Sequence, residues 1–163
     1  MTATRTFPGL MTLALAAAAA AQAPCPVSSI GASAYGQGCS PVFTTPSLLA
    51  QLDVVNCEIA LTVQATGGCC NTFLTNYVLM LGLGQTQVPL PPPAAPGCDL
   101  LVSPDVFLFQ PANASTSDTF ALPIPPSLPL PLTLFAQGGA LYFTTIGLST
   151  DVGLTSGVQM NLN

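Results

Sequence analysis

Alternating apolar and polar positions predict short β-strands along this chain. Residues 57–64 alternate so that their apolar side chains fall on one face. That face carries Ile59, Leu61 and Val63, and a period of two is typical of a half-buried strand. The end of the chain alternates in the same way, from Val158 to Leu162.

Apolar runs without alternation predict further strands. The run Tyr77–Leu83 is suited to a central strand that is covered on both sides. Shorter candidates are Val106–Phe109, Thr119–Leu122, Leu132–Gln137 and Leu141–Leu148. The pair Gly138-Gly139 separates the last two and predicts a hairpin turn between them.

Proline-rich segments separate several of these strands. They lie at Pro89–Pro96 and Pro123–Pro131, where the chain need not donate hydrogen bonds to a ladder. Short strands with such connections, and no alternation of strands with helices, predict an all-β fold. We expect one antiparallel β-sandwich of about seven to nine strands, immunoglobulin-like or jelly-roll-like and stapled by disulfides. The expected inner-face side chains are Ile59, Leu61, Val63, Val78, Met80, Phe120, Leu134, Phe143, Val158 and Met160.

The N-terminus has the pattern of a secretory signal peptide. Arg5 precedes an apolar run that is too short to span a membrane, and Ala19-Ala20-Ala21 matches a cleavage site. We expect a signal peptide at residues 1–21 and a single secreted β-sandwich domain at residues 22–163, with the exact cleavage position left open. The expected location is secreted or cell-surface, in an extracellular or periplasmic compartment.

Charge excludes several kinds of partner and of chemistry. Arg5 is the only basic residue of the chain, which has six acidic residues and no His. Nucleic-acid binding is not expected, because no Lys or Arg remains after residue 21 to neutralise phosphates. The chain also lacks the base of a Ser-His, Cys-His or Ser-Lys arrangement. Asp99 and Asp105 would lie about 20 Å apart along an extended strand, farther than the carboxylates of a glycosidase pair, although a turn at Pro104 would shorten this distance. We therefore expect no enzymatic activity and no cofactor.

The cysteines predict disulfides in an oxidising compartment. An even number of cysteines after a signal peptide is typical of a disulfide framework. The six are Cys25, Cys39, Cys57, Cys69, Cys70 and Cys98. Adjacent cysteines seldom bond to each other, so we expect Cys57 to pair with Cys69 or Cys70 and Cys25 to pair with the other one.

Two kinds of ligand are weaker candidates. Calcium prefers carboxylate and carbonyl oxygens, but the aspartates are scattered and lack the spacing of an EF-hand loop. The alternative is that they cap turns, as at Ser103-Pro104-Asp105 and Ser117-Asp118. Carbohydrate binding by sandwiches usually needs exposed aromatic side chains. The chain has no Trp, and its three tyrosines lie among apolar neighbours that are typical of a core.

Three motifs together resemble a known family. Tyr35–Cys39 has the form YGxGC, Pro96–Asp105 has the form PGCxLLVSPD, and Leu122–Pro125 reads LPIP, leading towards Gln137. In this order they resemble an uncharacterised family of secreted domains of planctomycete-type bacteria. The resemblance implies an extracellular β-sandwich without an assigned enzymatic activity, and a disulfide between Cys39 and Cys98. The chain departs from the family in its four further cysteines and in carrying the domain alone.

The function expected from the sequence is that of a non-catalytic extracellular structural, adhesion or protein-interaction module. Its expected partners are a second copy of itself or another cell-surface protein, with no nucleic acid and no membrane span. The alternative is a small calcium- or carbohydrate-binding β-sandwich module. The sequence does not identify a metal site.

Overall fold

A computed structural model describes residues 24–42, 44–67, 71–145 and 147–163. Within these residues the chain forms ten β-strands and no helix, so no described helix could cross a membrane. The signal peptide expected at residues 1–21, its cleavage before Gln22, and Cys69 and Cys70 lie outside the described residues. The strands are β1 (Ile30–Tyr35), β2 (Ser47–Asp53), β3 (Glu58–Gln64), β4 (Thr72–Gly82), β5 (Gly84–Pro89), β6 (Asp99–Ser103), β7 (Val106–Pro111), β8 (Ser117–Pro123), β9 (Leu132–Thr144) and β10 (Ser149–Leu162).

The strands form three antiparallel sheets. One has five strands in the order β1-β10-β9-β4-β7, one has three in the order β2-β3-β8, and β5 pairs with β6 alone. The predicted all-β, antiparallel, disulfide-stapled sandwich is confirmed. The described residues contain ten strands rather than seven to nine. Strands β1, β2, β5 and β6 have no counterpart among the predicted strands, whereas the candidates Leu132–Gln137 and Leu141–Leu148 fall largely within one strand, β9.

The strand pairs are nested along the chain. The β5–β6 pair lies inside β4–β7, which lies inside β3–β8, and β1–β10 encloses all of them. A hairpin wound in this way is the jelly-roll-like form of the two expected architectures. The nesting brings the β4–β7 edge and the β3–β8 edge to the same side of the molecule.

The main core lies between the five-stranded and three-stranded sheets. Ile59, Leu61 and Val63 of β3 pack there with Tyr77 of β4 and Met160 of β10. Of the other predicted inner-face residues, Phe120 and Val158 are buried in this core and Leu134 is partly buried against it. The alternation of β3 predicts its inner face correctly, because each odd-numbered side chain from Ile59 to Val63 points into the core.

Val78 and Met80 were assigned to the wrong face. Tyr77 and Leu79 point into the main core, so the two even-numbered side chains point outward. There they form a second cluster with Leu154 and the Cys39 and Cys98 side chains. Strand β4 is therefore covered on both faces, as predicted, although the centre of the five-stranded sheet is β9. The apolar run of β4 contains no polar position from which the inner face could be recognised.

Phe143 was also assigned wrongly. It is only half-buried, whereas its neighbour Tyr142 is fully buried in the main core. Because side chains alternate along β9, the burial of Tyr142 turns Phe143 to the outer face.

The hairpin turn predicted at Gly138-Gly139 is wrong. Strand β9 continues through both glycines, and the connection to β10 comes between Thr144 and Ser149. A Cβ at Gly138 would lie 2.8 Å from a methyl carbon of Val63, and one at Gly139 would lie 2.6 Å from a methyl carbon of Val78. The glycines therefore let side chains approach β9 closely from both faces.

Two disulfides join distant segments. Cys39 bonds to Cys98, with 5.1 Å between their Cα atoms, which is the pairing that the family resemblance implies. Cys25 bonds to Cys57, with Cα atoms 5.2 Å apart, so the expected pairings of Cys57 and of Cys25 with Cys69 and Cys70 are both wrong. Val27 is fully buried in the main core, and this burial brings the preceding Cys25 to the β2–β3 turn that contains Cys57.

Candidate interaction surface

The carboxylates serve local turns and are spread over the molecule. Asp53 Oδ1 accepts backbone N–H bonds from Val55 and Asn56, both at 3.0 Å, in the β2–β3 turn. Hydrogen bonds from the Asn56 backbone and side chain hold the pKa of the Asp53 carboxyl below its usual value. Asp99 begins β6 and Asp105 follows its end, so an extended strand separates them. In the described parts of the chain, no three His, Cys, Asp or Glu side chains are grouped as metal ligands.

The tyrosines are part of the packing. Tyr77 and Tyr142 are fully buried in the main core, as their apolar neighbours predict. Tyr35 is half-buried with its ring edge-on to Phe135, and its hydroxyl donates to the carbonyl of Leu101 at 2.9 Å. Burial raises the pKa of Tyr35 and of Tyr77 to about 12. None of the three forms an exposed platform on which a sugar ring could stack.

A polar cleft opens beside the ends of β2, β3 and β8. Its volume is about 320 Å³, and none of the described residues that line it is charged or aromatic. The lining residues are Thr44, Thr45, Ser47, Gln64, Ala65, Thr66, Thr116 and Ser117. Such a cleft offers hydroxyl groups and one side-chain amide, but neither a titratable group nor a stacking surface.

The most unusual surface is the edge of the five-stranded sheet. Strand β7 is the last strand of this sheet, and no other described strand pairs with its far side. Val106 is 45% exposed, Phe107 52% and Phe109 61%. Natural sheet edges usually carry charges, prolines or bulges that prevent pairing with another chain. Residues 106–110 contain none of these residue types, and only Pro111 interrupts the edge.

The register with β4 shows which backbone groups of β7 face outward. Leu108 lies opposite Leu79, and the adjoining Ala112 N–H donates to the carbonyl of Thr75 at 2.9 Å. Hydrogen bonding alternates along an antiparallel pair, so Leu108, like Ala112, bonds to β4. Phe107 and Phe109 therefore direct their N–H and C=O groups to the open edge.

The side chains make both faces of this edge apolar. Phe107 lies opposite Met80 and Phe109 opposite Val78, so both phenyl rings extend the second cluster outward across the sheet. Val106 faces the other side. It lines an apolar pocket of about 310 Å³ together with Leu81, Gly82, Leu83, Asp105 and Leu134.

Asp105 holds this end of the edge in place. Its N–H donates to the carbonyl of Leu81 at 2.8 Å, and its carboxylate accepts the N–H of Leu83 at 3.1 Å. Leu83 is 66% exposed at the β4–β5 junction. The carboxylate thus fixes Leu83 beside Val106. We call Leu83, Val106, Phe107 and Phe109 the β7 edge patch.

The sequence predicts the strand at Val106–Phe109 but not its exposure. A run of four apolar residues is equally typical of a buried strand, so the pattern does not distinguish an edge from a centre. Pro111 is the one available signal, because a proline within a sheet is confined to edges and strand ends.

Comparisons with known proteins give no match for this chain, whether with protein-family models, with curated proteins or with solved structures.

Proposed function

We propose that this protein is a non-catalytic extracellular module that binds a protein partner through the β7 edge patch. The observation that carries the proposal is an edge strand, β7, whose far side pairs with no other described strand and whose two outward-facing backbone residues are half-exposed phenylalanines. An exposed edge of this kind is a template for an added strand, with backbone hydrogen bonds for affinity and side chains for specificity.

Charge supports a protein partner over a nucleic acid or an anionic membrane. Residues 24–163 contain six acidic residues and no basic one. Phosphate-rich partners would be repelled by the acidic surface, whereas the four side chains of the β7 edge patch are uncharged and the Asp105 carboxylate lies beside them. Clustered apolar side chains on a protein surface often mark a protein–protein contact.

Secretion to the cell surface or beyond is part of the proposal. The disulfides Cys25–Cys57 and Cys39–Cys98 support it, because structural disulfides persist in oxidising compartments. The signal-peptide pattern of residues 1–21 and the resemblance to secreted planctomycete-type domains point the same way. Lack of catalysis is supported by the absence of His and by the separation of Asp99 from Asp105.

The proposal can be tested with a strand-forming probe. A fluorescein-labelled peptide of alternating Thr and Phe with a polar tail is titrated with the oxidised protein, and binding is followed by fluorescence anisotropy. We expect saturable binding that the double substitution Phe107→Ser and Phe109→Ser weakens at least tenfold. Val55→Ser is the matched control, because Val55 is 87% exposed in the distant β2–β3 turn.

Two results would contradict the proposal. One is equal binding by the wild type and the Phe107/Phe109 variant, which would place the probe elsewhere. The other is binding that disappears with a calcium chelator, which would favour the alternative of a calcium-binding module.

A further inference from the structure

We infer that the partner of the β7 edge is a second copy of this chain, paired antiparallel about a two-fold axis at Leu108. The inference rests on the proposed function and specifies its partner. The two five-stranded sheets would then form one continuous sheet of ten strands.

The open-edge backbone groups are self-complementary in this register. Phe107 of one copy lies opposite Phe109 of the other, and the two residues exchange both of their backbone hydrogen bonds. The two-fold axis repeats this exchange, so about four N–H···O=C bonds join the strands. Leu108 meets its own symmetry mate at the centre, in a pair that needs no hydrogen bonds because its polar groups face β4.

The two ends of β7 fit the same register. The next pair at the outward-facing positions on each side is Pro111 opposite Asp105 of the second copy. Pro111 has no N–H, and the Asp105 N–H already donates to Leu81. No further donor is therefore available at either end, and the ladder closes after the bonds of Phe107 and Phe109.

Side-chain placement favours the same arrangement. Phe107 and Phe109 lie on one face of β7, so the axis brings four phenyl rings together on the outer face of the joined sheets. Aromatic cross-strand pairs stabilise sheets. Burying these rings removes from water the two most exposed of the large apolar side chains of the strand.

The opposite edge of the sheet provides no comparable surface. Strand β1 has the sequence IGASAY and exposes mainly small side chains. Pairing β7 with β1 of another copy would be a head-to-tail contact that forms a ring or an open filament, whereas a two-fold β7–β7 contact closes as a dimer.

Area and charge set the strength of the dimer. A Phe side chain can bury about 150–250 Å², so two half-exposed rings contribute roughly 200 Å² per copy, well below the about 800 Å² per partner of stable complexes. The dimer is therefore weak and concentration-dependent. Both copies are acidic and neither has a base after Arg5, so added salt strengthens it by screening their repulsion.

Sedimentation velocity of the oxidised, secreted protein from about 10 µM to about 1 mM tests the inference, since weak dimers dissociate over this range. We expect the average mass to rise towards that of a dimer, and to rise further at high salt. Phe109→Pro removes an outward-facing N–H together with one of the clustered phenyl rings, and should raise the dissociation constant at least tenfold. The double substitution Phe107→Ser and Phe109→Ser should do the same, and Val55→Ser should leave it unchanged. Circular dichroism and disulfide mapping verify that each variant is folded.

Any of four results would overturn the inference. The wild type could stay monomeric, or the Phe109→Pro variant could dimerise as strongly as the wild type. The assembly could grow beyond a dimer, or association could weaken as salt is added. Its failure can be distinguished from failure of the proposed function. If the protein stays monomeric but still binds the strand-forming peptide through Phe107 and Phe109, the proposed function stands and a second copy is excluded as the partner. A protein that neither dimerises nor binds the peptide refutes both the inference and the proposed function.

Discussion

Gln137 is fully buried, and its Oε1 accepts the backbone N–H of Leu101 at 2.9 Å. Its Nε2 donates to the carbonyls of Asp99 at 3.0 Å and of Thr155 at 3.1 Å. One amide side chain of β9 thus pairs with β6 and β10 together. It fastens the small β5–β6 sheet over the outer face of the larger one.

Gln137→Leu should lower the free energy of unfolding by about 3 kcal/mol, because the substitution leaves buried backbone groups without partners. Urea unfolding of the oxidised protein measures this change. Gln51→Leu is the control, since Gln51 is exposed on β2 and should change stability little. A loss below about 1 kcal/mol for Gln137→Leu would mean that Gln137 does not hold the β5–β6 sheet.

Tyr77 and Tyr142 should respond oppositely to removal of their hydroxyl groups. Tyr77 donates to the carbonyl of Ser115 at 2.9 Å, whereas the Tyr142 hydroxyl, although near Ser40, completes no hydrogen bond with any described group. We expect Tyr77→Phe to lower the free energy of unfolding by about 1 kcal/mol and Tyr142→Phe to be neutral or stabilising. Both values come from matched urea curves. Equal destabilisation would show that Tyr142 also has a partner.

Gly139→Ala should destabilise the protein by about 1–3 kcal/mol, because the added Cβ would crowd Val78 and Leu154 in a close-packed layer. Thermal unfolding measures the loss. The control is Gly67→Ala, where no atom of the described residues lies within 4 Å of the added carbon. If both variants unfolded at the same temperature, Gly139 of β9 would not be needed for close packing.

How far the sequence predicts this structure depends on whether a residue pattern has one interpretation. The alternation at Ile59, Leu61 and Val63 has only one, and the structure follows it. The run around Val78 and Met80 is apolar at every position, so either face could point inward. Gly138-Gly139 is typical both of a turn and of close packing, and only the neighbouring strands distinguish the two.

The same argument applies to the disulfides and to the candidate surface. The Cys39–Cys98 bond follows from a resemblance that places both residues in motifs, whereas Cys25–Cys57 depends on burial of Val27, which no local pattern shows. Exposure of Phe107 and Phe109 depends on β7 being the last strand of its sheet. That position is a property of the topology and not of the strand itself.

Alkaline pH should unfold the protein in a step that is coupled to ionisation of its tyrosine hydroxyls. Burial raises the pKa of Tyr35 and Tyr77 to about 12 and also raises that of Tyr142. For an acid whose folded pKa is raised, the stabilisation is complete below the unfolded value near 10 and is lost as pH rises towards 12. Absorbance at about 295 nm, which follows tyrosinate, should therefore change together with circular dichroism between these values. Tyrosine ionisation near pH 10 in a folded protein would contradict the burial of these hydroxyls.

The central claim is that Phe107 and Phe109 direct free backbone groups to an open edge that pairs with a second copy. Amide hydrogen exchange, followed residue by residue by NMR at rising protein concentration, tests this claim most directly. In dilute protein, the Phe107 and Phe109 amides should exchange quickly while the Leu108 amide, bonded to β4, exchanges slowly. At high concentration the two Phe amides should slow at least tenfold and Leu108 should change little. Phe amides that are already protected in dilute protein, or that stay unprotected at concentrations where sedimentation detects the dimer, would contradict it.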